Sequence, residues 1–336
     1  MLVIKGTYCV LTGFYNGMWS FIVHHRWSLA KMAVSAGLVF LLMRNIGWSQ
    51  WLAQFEQAAW RGVVFSLTIL VISNLLGALQ WFLLLRHKKI SVSFGQVLSF
   101  YHVGLFFNNF LIGNVGGDAL RVFDIRRVCG ETSAALSTVI MDRFIGFIAM
   151  ASLGLFATLL MARKMFAAAA IESIILVFAI WVLAAAFLFH EPLAKKFSWM
   201  FRLFLPQSLH VKAKAFYYSL HDFRRKRTFL VRLFGLSLII QSLRILTHYG
   251  AAQALGVRTY VNYFFLFIPI VALVASLPVS LGGLGVREQS AATLFGQVGL
   301  PAAQIVAFEF LAYLIGILAT LPGGVIFALR REKKTG

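Results

Sequence analysis

Residues 108–131 read NNFLIGNVGGDALRVFDIRRVCGE, a glycine-broken polar stretch set between long apolar runs. It carries Asn108, Asn109, Asn114, the pair Gly116 and Gly117, and Asp118, followed by Arg121, Asp124, Arg126 and Arg127. In hydrocarbon every backbone N–H and C=O needs a partner, so a helix broken in this way persists only inside protein or beside a wet cavity. Ionisable side chains at that depth are costly and face a pathway or a partner. Residues 276–289, SLPVSLGGLGVREQ, have the same build: apolar, then glycine-rich, then an arginine beside an acid. One such interruption in each half predicts transport rather than a passive anchor.

The apolar runs elsewhere are long and continuous, which excludes the short alternating strands of a membrane barrel. Of 336 residues, 60% are hydrophobic and 12% charged, against roughly 25% charged in soluble domains. The fold class this predicts is an all-α polytopic membrane protein. The net charge of +20, from 31 basic and 11 acidic residues, reads as cytoplasmic loops attracted to anionic lipid, not as nucleic-acid binding. Cys9 and Cys129 stand far apart in unlike contexts and predict neither a disulfide nor a metal site. No cofactor is expected.

Taken in order, residues 1–28 form an uncertain leader whose apolar run is broken by Gly13, Asn16 and Gly17. Six full spans are expected near 29–46, 62–85, 137–161, 171–189, 230–255 and 303–329. Arg86 to Lys89, Arg126 with Arg127, and Arg330, Arg331, Lys333 and Lys334 each favour the cytoplasm. Residues 94–128 therefore enter and leave on the cytoplasmic side, as a re-entrant helical hairpin. Residues 262–300 form a second hairpin, entered from outside. The chain then divides into a first membrane repeat, 29–165, and a second, 166–336. Each reads span, span, hairpin, span, in opposite orientation. In such an inverted-repeat architecture the substrate site lies at the repeat interface. Between the repeats, 192–228 is basic, with apolar residues such as Phe197, Phe201, Phe216, Leu220 and Phe223 at helical spacing. It predicts amphipathic helices lying on the cytoplasmic leaflet.

The chemistry these residues suggest is anion binding. Asp118 and Arg121, three apart, share one face of a helix that begins after the glycine pair. Its N-terminus offers unpaired N–H groups, and the guanidinium of Arg121 matches phosphate oxygens. A salt bridge that merely neutralises both residues is the structural alternative. Asp124, Arg126 and Arg127 read as an interfacial charge cluster. Asp142 and Arg143 point about 100° apart on one helix, so each needs a partner elsewhere, and the hairpin charges are the candidates. In the second hairpin Gly282, Gly283 and Gly285 make the turn, and Arg287 with Glu288 opens the next helix. Asn109 and Asn114 complete the candidate substrate-binding set. Glu309 joins it at lower weight, whereas His102 and His248 read as packing residues.

The series NVGGDALR, MDRFIG and LPVSLGGLGVRE, over roughly residues 30–330, resembles the flippase-like transmembrane domain of the lysylphosphatidylglycerol synthase family. The resemblance implies an integral inner-membrane protein that moves lipid across the bilayer. It matches Asn114, Gly116, Gly117, Asp118, Arg121, Asp142 and Arg143 to one family block, and Gly282, Gly283, Gly285, Arg287 and Glu288 to the other. The Val-Ser after Pro278 departs from the pattern, in which glycines directly follow the proline. The chain has no room for the soluble aminoacyl-transferase domain of some members, so lipid aminoacylation is not implied.

The expected function is thus a flippase moving an anionic phospholipid or a polyprenyl-phosphate-linked lipid across the cytoplasmic membrane, with its headgroup between the two hairpin tips and the C-terminus cytoplasmic. The partners expected are membrane lipids and a possible lipid-synthesis enzyme. Two alternatives remain: a transferase acting on such a lipid, and a scaffold for lipid-synthesis enzymes.

Overall fold

The computed structural model describes residues 46–56, 58–110, 116–161, 217–276 and 283–330, together with residues 37, 40, 44, 178, 179 and 183. The described residues form helices: α1 (Trp48–Ala53), α2 (Trp60–His87), α3 (Phe94–Phe110), α4 (Gly116–Cys129), α5 (Thr132–Met161), a short 3₁₀ turn (Asp222–Arg225), α6 (Arg227–Ala254), α7 (Val261–Ala275), α8 (Val286–Gly296) and α9 (Ala302–Leu329). Four of these, α2, α5, α6 and α9, are 28 to 30 residues long and apolar enough to cross a membrane. At 1.5 Å per residue each extends about 42–45 Å, more than the ~30 Å of hydrocarbon it must span. They match four of the six expected spans within a few residues. The spans expected near 29–46 and 171–189, and the leader, lie outside the described residues.

The chain is therefore a multi-pass membrane protein. Its spans end where the sequence changes character. Helix α2 stops after Arg86 and His87, and the Arg86 cation suits the negative end of the helix dipole. Lys89 follows with a φ of 58°, turning the chain into α3. Helix α5 starts at Thr132, five residues before the expected boundary, so Asp142 and Arg143 sit about three turns inside it rather than at its start.

Small residues set how the helices meet. Helices α2 and α6 run antiparallel in close contact along their length. A Cβ on Gly62 would lie 2.8 Å from Ala254, one on Gly250 would lie 2.3 Å from Ser66 Oγ, and Ser73 Oγ donates to the Ile240 carbonyl at 3.2 Å. This is the way membrane helices associate when burial from water supplies no drive: small side chains admit a close approach and a polar group bonds across. Around the α2–α6 pair the packing is reciprocal, with α3 against α9 and α7 against α5.

Each glycine-broken segment is flanked by a pair of packed antiparallel helices. Gly117 on α4 faces Gly104 on α3, and Arg121 covers the next turn of α3 at Tyr101. Likewise Gly283 faces Ala275, and Phe295 on α8 packs on Phe264 and Phe267 of α7. The broken tips themselves, 111–115 and 277–282, lie outside the described residues.

Among the described residues two larger apolar cores result. One joins the end of α2 to α3, α4 and the start of α5 through Trp81, Leu85, Val97, Ile125 and Val139. The other joins the end of α6 to α7, α8 and α9 through Ile245, Phe264, Phe267, Phe295 and Phe308. The described end of the basic 192–228 segment is not simply laid on a surface. Leu220 and Phe223 are buried with Leu84, Met141, Phe144 and Leu233, and Lys88 Nζ holds the Ser219 carbonyl and Asp222.

Candidate functional site

Inside this apolar bundle lies a cavity of about 330 Å³ whose wall carries Arg121, Arg143, Arg244 and Arg287. Gln80, Asn109, Asp142, Gln241, His248 and Tyr313 are among its other polar lining residues, and every described long helix contributes. Two ion clusters stand at the wall, one built by each half of the chain.

In the first cluster, Arg121 Nη2 bonds Asp142 Oδ2 at 2.8 Å and Arg121 Nη1 reaches Asp118 Oδ1 at 3.3 Å. Arg143 Nε donates to Asp118 Oδ2 at 2.7 Å and its Nη2 to Asp118 Oδ1 at 3.2 Å. Gln80 Nε2 donates to the remaining Asp142 oxygen at 2.9 Å. The Arg121 guanidinium also lies 4.1 Å from the Trp81 ring centroid and 4.8 Å from that of Tyr101. Such a desolvated cation over two aromatic faces is held by charge and ring quadrupole together. Trp81 is fixed in turn by its Nε1 donating to Thr138 Oγ1 at 3.2 Å.

The second cluster has the same parts. Arg287 Nη2 bonds Glu288 Oε1 at 2.9 Å, and its Nε lies 3.4 Å from Glu309 Oε2. His248 Nδ1 meets Glu309 Oε1 at 2.8 Å. In both halves a hairpin arginine approaches a carboxylate on the following span, and a side chain from the central helix pair (Gln80 on α2, His248 on α6) takes the other carboxylate oxygen.

The expected helix-N-terminus cradles are partly occupied from within. Gly117 N–H donates to Asn108 Oδ1 at 2.9 Å, and Gly285 N–H donates to Glu288 Oε2 at 2.6 Å. Gly116, Gly117, Asp118, Gly283, Gly285 and Glu288 thus stand behind the cavity wall, while Asn109, Arg121, Asp142, Arg143 and Arg287 line it. Asn109 is held by Thr320, at 2.7 Å from its Nδ2. Asn114 and Gly282 lie outside the described residues. Asp124 does not form its cluster with Arg126 and Arg127; it pairs with Arg330 at 2.8 Å, tying α4 to the end of α9.

Two wall residues escaped the sequence reading. His248 is not a packing residue but the partner of Glu309, whereas His102 does bond locally, to the Leu98 carbonyl at 3.0 Å. Arg244 was passed over altogether. It is the cation in mid-span on α6 whose described polar contact is the Tyr101 hydroxyl, at 3.4 Å; it has no carboxylate partner among the described residues. The signal was present: an arginine inside an apolar run, with Gln241 and His248 three and four residues away on the same face.

A bundle of apolar helices around an arginine-walled cavity defines an all-helical, multi-pass membrane protein with a charged interior. The chain belongs to the family described as the lysylphosphatidylglycerol synthase TM region, which it matches over residues 28–324. The family is linked to lipid handling. The chain is also similar to a UPF0104 membrane protein of Pyrococcus horikoshii, with 27% identity over 323 residues that cover 89% of this chain and 96% of that protein.

Proposed function

We propose that the protein is a lipid flippase of the cytoplasmic membrane, moving an anionic phospholipid or a polyprenyl-phosphate-linked lipid with its headgroup in the arginine-lined cavity. The observation that carries this reading is Arg244. A cation at membrane depth with no carboxylate partner among the described residues is costly unless something compensates it. A phosphate is the natural partner, because guanidinium binds its oxygens through paired N–H donors. Arg121, Arg143 and Arg287 surround the same space and extend the positive wall. The acyl or prenyl tails stay in lipid.

Transport requires that the site open to either side, and the packing supports an inverted repeat able to do so. The antiparallel α2–α6 pair, the reciprocal contacts of α3 with α9 and α7 with α5, and the two matching ion clusters relate one half to the other. In this reading the repeats are 29–165 and 166–336, the α3–α4 and α7–α8 pairs are re-entrant hairpins, and rocking of one repeat against the other gives alternating access. The basic C-terminus is cytoplasmic.

The test is movement of headgroup-labelled phosphatidylglycerol and phosphatidylcholine in liposomes holding the purified protein, beside Arg244→Ala. Selective movement of the anionic lipid, lost in the variant, is expected. Chemically altered lipid without movement would replace transport with a transferase activity.

A further inference from the structure

The two clusters agree in build and differ in charge. In the first, Asp118 and Asp142 face Arg121 and Arg143, so the carboxylates and guanidiniums balance. In the second, among the described residues, Glu288 and Glu309 share the guanidinium of Arg287. The first places a neutral amide, Gln80, on its span carboxylate; the second places an imidazole, His248, there. Glu309 is fully buried, and although its Oε2 lies within ion-pair distance of Arg287 it accepts no hydrogen bond from a described side chain. An unbalanced buried carboxylate avoids its desolvation cost by gaining a proton, either directly or on a hydrogen-bonded neighbour.

We propose that Glu309 and His248 together hold one exchangeable proton on the cavity wall, and that this proton is bound and released with the anionic headgroup. The proposal rests on the transport reading above and supplies its coupling ion. The proton sits either on the imidazole beside a carboxylate or on the carboxyl beside a neutral imidazole; the net charge is the same. The groups that bear on it are His248 from α6, Arg287 and Glu288 from α8, and Tyr313 from α9, whose ring lies 4.9 Å from the Arg287 guanidinium. Helix α7 turns the apolar Ile268 and Ala272 to the cavity, and Arg143 and Arg244 line it elsewhere.

Coupling follows from competition for one guanidinium. A phosphate that engages Arg287 weakens its hold on Glu309, and a proton held on the Glu309–His248 pair then stands in for the cation drawn away. By linkage the proton in turn strengthens phosphate binding. Headgroup and proton then load and leave as a pair, so a pH gradient drives the lipid in the direction in which protons flow.

Two measurements on the full-length protein test this. Infrared difference spectra in nanodiscs, titrated from about pH 5 to about pH 8, should show a carboxyl or imidazole band that disappears in Glu309→Gln and shifts or disappears in His248→Gln. Movement of headgroup-labelled phosphatidylglycerol in liposomes should accelerate severalfold along an imposed pH gradient in the wild type and lose that response in both variants. Identical titrations in all three proteins would overturn the proton site, whether or not lipid moves. A titrating site with lipid movement indifferent to the gradient would overturn the coupling and leave transport standing. Absence of movement for every lipid would remove the transport reading and the coupling with it.

Discussion

Arg121 and Asp142, 21 residues apart in sequence, meet at 2.8 Å with their side chains 4% and 8% exposed. The pair joins α4 to α5 and forms one edge of the cavity. Its counterpart, Arg287 with Glu309, joins α8 to α9 at 3.4 Å. The two pairs tie α4 to α5 and α8 to α9, so any displacement of α4 or α8 would also rearrange the wall.

Breaking such a pair from one side should be severe. Removing one partner of a buried ion pair leaves an uncompensated charge and costs about 3–5 kcal/mol. Arg121→Ala is expected to lose about this much, with the Trp81 and Tyr101 ring contacts included. Arg121→Gln with Asp142→Asn should be less damaging than Arg121→Ala alone, because neither charge is then orphaned. Thermal unfolding in detergent measures both; a double variant no more stable than the single one would show that the ring contacts, not the charges, dominate.

Arg244 should behave in the opposite way. It has no carboxylate among the described residues to leave unpaired, so Arg244→Gln is expected to leave stability unchanged or raise it. Binding of phosphatidylglycerol should nevertheless fall at least about tenfold, since a charge-assisted contact is worth roughly 1.5–3 kcal/mol. Melting temperature and lipid affinity, measured on the same preparation, separate a ligand-binding arginine from a structural one.

Much of this was legible in the chain because membrane sequences declare their costs. Four spans followed from unbroken apolar length, and the partners of Asp142 and Arg143 followed from their divergence on one helix, which sent each to a hairpin charge. What stayed hidden depended on contacts between distant segments. Asp124 finds Arg330 across 206 residues, and no local pattern favours that cation over Arg126 or Arg127. The helix N-termini looked open to phosphate because the capping side chain, Asn108, lies on a different helix. Glu288 was visible as an acid in a first turn, but its turn back onto Gly285 N–H was not. Helix α1 falls between two expected spans, and its six residues carry too little periodicity to stand out.

The closest helix contacts should be intolerant of the smallest side chain. A Cβ on Gly117 would lie 1.8 Å from the Gly104 carbonyl oxygen, and one on Gly323 would lie 2.1 Å from that of His102. Neither neighbour is a side chain that can swing away. Gly117→Ala must push α4 off α3, and Gly323→Ala must push α9 off α3. Each should cost about 1–3 kcal/mol or more as overpacking, whereas Gly316→Ala, with nothing within 4 Å, should be neutral or better. A lowered melting temperature for the first two against Gly316→Ala checks the closeness of the hairpin directly.

The wall also bears on which headgroup is held. Gln80 Oε1 and Gln241 Oε1 are buried and accept no hydrogen bond from a described protein group, and both residues line the cavity. The Gln80 amide is oriented by Asp142, which takes its N–H, so its oxygen cannot exchange roles with its nitrogen without losing that bond. A buried acceptor left unsatisfied costs about 1–3 kcal/mol, and a ligand that brings an O–H donor recovers part of it. Phosphatidylglycerol, with two headgroup hydroxyls beside its phosphate, should therefore bind better than phosphatidylmethanol, which has the same charge and no donor. A difference of roughly tenfold corresponds to about 1.4 kcal/mol, within what one satisfied acceptor supplies. Gln241→Leu keeps similar bulk and removes the acceptor, so it should shrink the preference while leaving the affinity for phosphatidylmethanol nearly unchanged. Equal affinity of the wild type for the two lipids would mean that the wall reads charge alone.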